Sequence, residues 1–164
     1  MTLITERQAF GYAIRQDPTV RHEADRLAAS YWHGLRSVDE ARVEFRGILI
    51  GLFQRASVDT DRRVVRIKSD YPRDVIIEVA DSVLADDIAR HEREHEATVV
   101  AVMQALARPL KDGATIAQAK RIAADVARTR PIPPPFRILD HAIAEAAAER
   151  RRVEQFWARR EAVA

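Results

Sequence analysis

Apolar positions recur every three or four residues through most of the chain, the period of helices that bury one face. Thr5 with Gln8 forms a capping box ahead of Phe10, Ala13 and Ile14, which predicts a first helix running to about Gln16. Asp17-Pro18 ends that helix and opens the next, because Asp caps helix N-termini and Pro suits the first helical position. Val20, Ala24, Leu27, Tyr31 and Leu35 make the second stripe, which leaves His22 and His33 on a solvated face. Ser37 with Glu40 caps a third helix, whose stripe is Val38, Ala41, Phe45, Ile48, Leu49, Leu52 and Ala56. Gly47 and Gly51 lie one turn apart on its other side and predict close packing of another helix there.

Periodicity lapses over 57–72, which reads as an irregular linker; within it, Arg62 to Lys68 fits a short strand, a basic loop or a single helical turn. From about residue 73 to 108 a long stripe follows: Ile77, Ala80, Leu84, Ile88, His91, His95, Val99, Val102 and Leu106, up to a stop at Pro109. Such a helix is about 50 Å long, more than a compact domain of this size spans, so it either kinks or reaches toward another body. Asp112-Gly113 turns the chain. Thr115 with Gln118 then caps a helix carrying Ile116, Ala119, Ile122, Ala123 and Val126. Residues 130–135, R-P-I-P-P-P, form a stiff extended crossing that cannot join a helix ladder. The last helix opens near Phe136 and is expected to bury Leu139, Ile143, Ala146, Val153 and Trp157, with Arg150 on the same stripe. The expectation is an all-α chain of about six amphipathic helices in one domain, 1–164.

Charge alters this picture little. The 27 Lys and Arg against 25 Asp and Glu leave a net charge of +2, too small to demand a nucleic-acid partner. The absence of cysteine removes disulfides and thiol nucleophiles, and fits a reducing compartment. Glu6 and Arg7 stand where an export signal needs apolar residues, and the most apolar run, Gly47 to Phe53, is far short of the roughly 20 residues a spanning helix needs. A soluble, cytoplasmic protein is expected, with no membrane partner.

His91, Glu92 and His95 fall in an H-E-x-x-H pattern, which in zinc proteases places two ligands one turn apart and a glutamate that activates water. Both histidines lie near the centre of the inward stripe, but Glu92 sits to one side, and His141, the nearest further candidate, points away from the buried face of its own helix. Glu92 to His95 is also the E-x-x-H spacing of di-iron bundles, which need a second such pair; the chain has none. The favoured reading makes His91 and His95 polar members of a helix seam, with no catalytic, metal or cofactor residue in the chain. Arg150 to Arg152, Arg159 and Arg160, with Lys120 and Arg121, could contact phosphates, but Glu149, Glu154 and Glu161 are interleaved with them and favour a solvated, ion-paired face.

Three stretches in order carry a family resemblance: R-Q-A-F-G-Y-A-I-R-Q at 7–16, T-V-R-H-E-A-D-R-L at 19–27 and R-P-I-P-P-P-F-R-I-L-D at 130–140. Together they resemble the small helical γ subunit of soluble methane monooxygenase-type hydroxylases, in which a helix also leads into a proline-rich crossing and an apolar helix start. The resemblance implies a non-catalytic subunit packed on the α and β subunits of an α2β2γ2 hydroxylase that oxidises small alkanes or alkenes with O2. The di-iron centre would belong to the partner α subunit, and an NADH-dependent reductase and a regulatory protein would act on the complex indirectly. The anchors expected at such an interface are Phe10, Tyr71, Phe136, Phe156 and Trp157, because aromatic residues dominate interface energetics. The alternative is a free-standing helical DNA-binding or scaffold protein of the phage or plasmid accessory type.

Overall fold

Four helices start where a short polar side chain accepts a hydrogen bond from an otherwise orphaned backbone N–H of the first turn. The computed structural model describes residues 5–54, 58–60, 63–65 and 71–163, and among them the architecture is all-α. Its helices are α1 (Glu6–Gln16), α2 (Pro18–Trp32), α3 (Val38–Phe53), α4 (Arg73–Lys111), α5 (Ile116–Arg128) and α6 (Phe136–Glu161). Thr5, Ser37 and Thr115 make full capping boxes with Gln8, Glu40 and Gln118, and Asp17 caps α2 just ahead of Pro18. Pro135 precedes α6 with no side-chain cap.

Two glycines close helices. Gly34 at φ 74° and Gly113 at φ 87° take the left-handed backbone that a side chain resists. After α2, the Leu35 N–H donates to the Ser30 carbonyl and the Gly34 N–H to the Tyr31 carbonyl. After α4, Ala114 donates to Pro109 and Gly113 to Leu110, the same paired closure. The expected stop at Pro109 is therefore corrected: Pro109 lies inside α4, which runs to Lys111. Near a helix end one missing N–H is tolerable, and Gly113 rather than the proline sets the end. The linker reading is also corrected in part. Val58–Thr60 (β1) pairs antiparallel with Arg63–Val65 (β2), Val58 opposite Val65, in keeping with their β-branched content. Residues 57, 61–62 and 66–70 of that stretch lie outside the described residues, as does Ala56.

The chain, expected as one domain, divides into two compact units, residues 1–91 and 92–164, with the boundary inside α4. Unit 1 packs Ile14 of α1, Val20, Ala24 and Leu27 of α2, Ala41, Phe45 and Leu49 of α3, and Val75, Ile76, Val79, Ala80 and Leu84 of α4 into one core. Phe10, Phe53 and Tyr71 close one side of it, with Tyr71 meeting the other two rings edge-on at centroid distances of 4.8 and 5.3 Å. Arginines then tie α1 and α3 to acids on α4: Arg7 to Asp74 and Glu78, and Arg46 to Asp81. In unit 2 the core is small-residue: Ala119 and Ala123 of α5 and Ala142 and Ala146 of α6 meet Val102 and Leu106 of α4. Ile132 is buried as well, as the apolar member of the proline crossing.

Several stripe positions stand outside instead. Leu35 is exposed because α2 ends at Trp32 before its stripe reaches that position, and Val38 is exposed at the first position of α3. Gly47 and Gly51 face open space, with no atom within 4 Å of where a Cβ would stand, so the expected close helix contact is absent among the described residues. Ile116 at the start of α5 and Val153 and Trp157 of α6 are exposed too. No helix among the described residues is long and apolar enough to cross a membrane.

Candidate functional sites

The H-E-x-x-H stretch straddles the unit boundary, so its halves belong to different units. His91 closes unit 1 from inside α4, 2% exposed, with its Nε2 2.8 Å from Asp25 Oδ1 on α2. Asp25 also accepts from Arg90 at 2.7 Å, which in turn holds Asp87. Partial burial pushes the Asp25 carboxyl up, but the hydrogen bonds from His91 and Arg90 outweigh it and hold the group below its ordinary value. Close by, the Trp32 indole N–H donates to the Ile88 carbonyl at 3.1 Å, a further polar tie between α2 and α4.

In unit 2, His95 is buried to 2% exposure and Thr98 is fully buried, its hydroxyl donating to the Glu94 carbonyl one turn back. Arg130 reaches Glu94 at 3.2 Å and anchors the proline crossing to α4. Glu92 points to solvent. The carboxylate that would activate water in a zinc protease is therefore on a different face of the helix from either imidazole. Among the described residues no group of three or more His, Cys, Asp or Glu side chains is placed to hold a metal ion. His22, His33 and His141 are exposed, where the stripe placed them.

The expected interface aromatics separate into two sets. Phe10 and Tyr71 are partly buried and spend their rings against the unit 1 core. Phe136, at the first turn of α6, is 87% exposed, and Phe156 and Trp157 near its far end are 54% exposed each. Every residue from Arg151 to Val163 is exposed, so the end of α6 from Arg151 onward leaves its bundle. Phe156 and Trp157 stack edge-on at 5.5 Å, and the Arg160 guanidinium sits over both rings at 5.7 and 5.8 Å.

This free segment continues a face that α6 uses inside the bundle. Met103, Ala107, Leu110 and Lys111 of α4 and Ala146, Glu149, Arg150 and Val153 of α6 line a cavity of about 220 Å³. Beyond Val153 the same face has lost its neighbour, because α4 ends at Lys111. Arg150 holds Glu154 and Arg152 holds Glu149 within α6, whereas Arg151, Arg159 and Glu161 make no ion pair among the described residues. Lys120 and Arg121 are exposed on α5.

Helix periodicity expected Val153 and Trp157 to be buried, and both are exposed: the stripe carried no signal that the covering helix would stop short. Phe136 lies next to a proline run, where no stripe exists to judge it by. A scan against protein-family models, a search of curated proteins and a search of solved structures each return no match.

Proposed function

We propose that this chain is a non-catalytic helical assembly subunit that docks on another polypeptide through unit 2. One observation carries the reading: α6 drives an aromatic-bearing end, Val153, Phe156 and Trp157, out of its own bundle into solvent. Apolar side chains standing together on one exposed helix face are a cost in water unless a partner covers them. Aromatic anchors of this kind supply most of the binding energy in protein interfaces. The extension to the γ subunit of a di-iron hydroxylase oxidising small alkanes or alkenes rests on the three sequence stretches quoted above and on nothing in the geometry. In that reading the chain carries no cofactor, and dioxygen chemistry belongs to the α chain it packs against.

Co-purification from the native host tests both levels. The hydroxylase reading requires two larger chains and iron in the same particle as this one. A particle with a partner but no iron keeps the assembly function and removes the hydroxylase. A purified chain that turns over a substrate by itself removes both. Arg151 and Arg159, exposed and without an ion pair among the described residues, favour one second reading, a DNA-binding protein, which predicts binding to duplex DNA that weakens steeply with salt.

A further inference from the structure

We infer that the free end of α6 pairs with the same segment of a second copy of this chain, the two helices running parallel about a two-fold axis. This rests on the docking role proposed for that end and names its partner. Charge is arranged unevenly around the segment. At 3.6 residues per turn, Val153, Phe156, Trp157 and Arg160 share one face. Arg152 and Arg159 fall together on one flank of it, and Glu154 and Glu161 together on the other.

That split selects the occupant. An anionic lipid surface or a nucleic acid would meet a row of carboxylates along one edge. A second copy in parallel sets the basic flank of each helix against the acidic flank of the other, Arg152 near Glu154 and Arg159 near Glu161. It also sets Phe156 of one chain against Trp157 of the other at nearly the same level. An antiparallel pair does the opposite, basic flank on basic and acidic on acidic. Arg159 and Glu161, which make no ion pair among the described residues, gain partners only in the parallel arrangement.

The contact is short, so the dimer is weak: its area lies below the roughly 1,200 Å² of stable interfaces, and half-association falls in the micromolar range. Arg160 is the strained element. It covers both rings in the single chain and falls in the seam of the pair, where it meets its own copy. Arg160→Leu is therefore expected to tighten the dimer several-fold, whereas binding to an anionic surface or nucleic acid would weaken with the same change.

Sedimentation velocity of the full chain over about 1–500 µM, a span bracketing micromolar association, reads the equilibrium. The expected result is a monomer–dimer series that Phe156→Ser with Trp157→Ser abolishes; these positions are solvent-exposed, so folding is untouched. Orientation is read from single cysteines, which this cysteine-free chain permits. Val153→Cys is expected to form a disulfide with its own copy, and Ala158→Cys on the opposite face is not. A monomer at every concentration, a dimer that survives the double serine change, or a Val153→Cys that links only to Arg160→Cys overturns the inference. A lone monomer that still co-purifies with larger chains removes the self-pairing and leaves the assembly function standing; one that does neither removes both.

Discussion

The two units solve the same packing problem with opposite materials. Unit 1 buries large side chains at its centre, among them Phe45, Ile14, Leu27, Leu49 and Ile76, and gathers three aromatic rings against its core, while Tyr12, Leu35 and Val43 stay exposed. Unit 2 buries four alanines around Val102 and Leu106 and displays Ile116, Phe136, Phe156 and Trp157. Burial stabilises roughly in proportion to apolar area, about 25 cal/mol per Å², so unit 1 is built to stand by its own contacts. Unit 2 leaves the aromatic side chains of α6 in solvent, the surface proposed above to meet a partner. Chemistry follows the same division: the polar cluster around the buried His91, with Asp25 and Arg90, lies in unit 1, and the uncovered helix end lies in unit 2.

The sharpest way to break this contrast is Phe45→Ala. Phe45 is fully buried in α3, and removing its ring should cost about 3–5 kcal/mol through lost burial and the cavity left behind. Chemical denaturation would show this, with hydrogen exchange accelerated first in α1 to α3. A loss under about 1 kcal/mol would mean that unit 1 is packed no more tightly than unit 2, against the range for such cavities. In unit 2 the matching probe adds volume. Ala123 is fully buried among alanines, so Ala123→Leu should cost about 1–3 kcal/mol by overpacking.

Asp25→Ala tests the polar cluster. Taking the carboxylate from the buried His91 Nε2 should cost about 1–3 kcal/mol, the penalty for leaving a buried polar group without that partner. The pH dependence has a definite sign. The Asp25 carboxyl titrates below its ordinary 3.8 in the folded chain, so its contribution is complete above that value and is lost as pH falls through the lower folded value. Acid titration of stability should therefore be steeper in the parent than in Asp25→Asn below about pH 4, the ordinary carboxylate range.

How much of this was legible in the sequence differs between the units for a physical reason. Helix starts were readable everywhere, because Thr5, Asp17, Ser37 and Thr115 cap through contacts within three residues. The inward phase of α1 to α4 was also readable, although Ile76 and Val79 were missed because they widen the α4 stripe beyond its centre line. What periodicity cannot carry is whether a neighbour exists. Val153 and Trp157 are in phase with Ala142 and Ala146, yet Val153 only borders the end of α4 and both stay exposed, whereas the alanines are buried. Gly47 and Gly51 fail for the same reason: small residues permit a close approach without supplying the helix that makes it. The polar partner of His91 was likewise invisible, since Asp25 lies 66 residues away and on a different helix.

Gly47→Ala turns that failure into a measurement. Its would-be Cβ meets nothing, and alanine is the better helix former, so the change should stabilise the lone chain by about 0.5–1 kcal/mol. Destabilisation in the isolated chain would place a neighbour against α3 that the fold does not show. Gly113→Ala, at φ 87°, should go the other way, because the side chain must enter left-handed backbone.

The smallest effect is the one that separates the units most cleanly. Trp157→Ala and Phe136→Ala remove large aromatic side chains, yet both positions face solvent and neither supports the unit 2 core. The lone chain should keep its stability to within about 0.5 kcal/mol in either variant, as surface changes usually do. The same truncations should cost about 2 kcal/mol or more wherever a partner covers those rings, a figure typical of aromatic anchors. Melting the variants alone and in the purified assembly gives the two numbers side by side. A loss in the lone chain would place these rings in unit 2's own core, and no loss in the assembly would leave the exposed end of α6 without a purpose in binding.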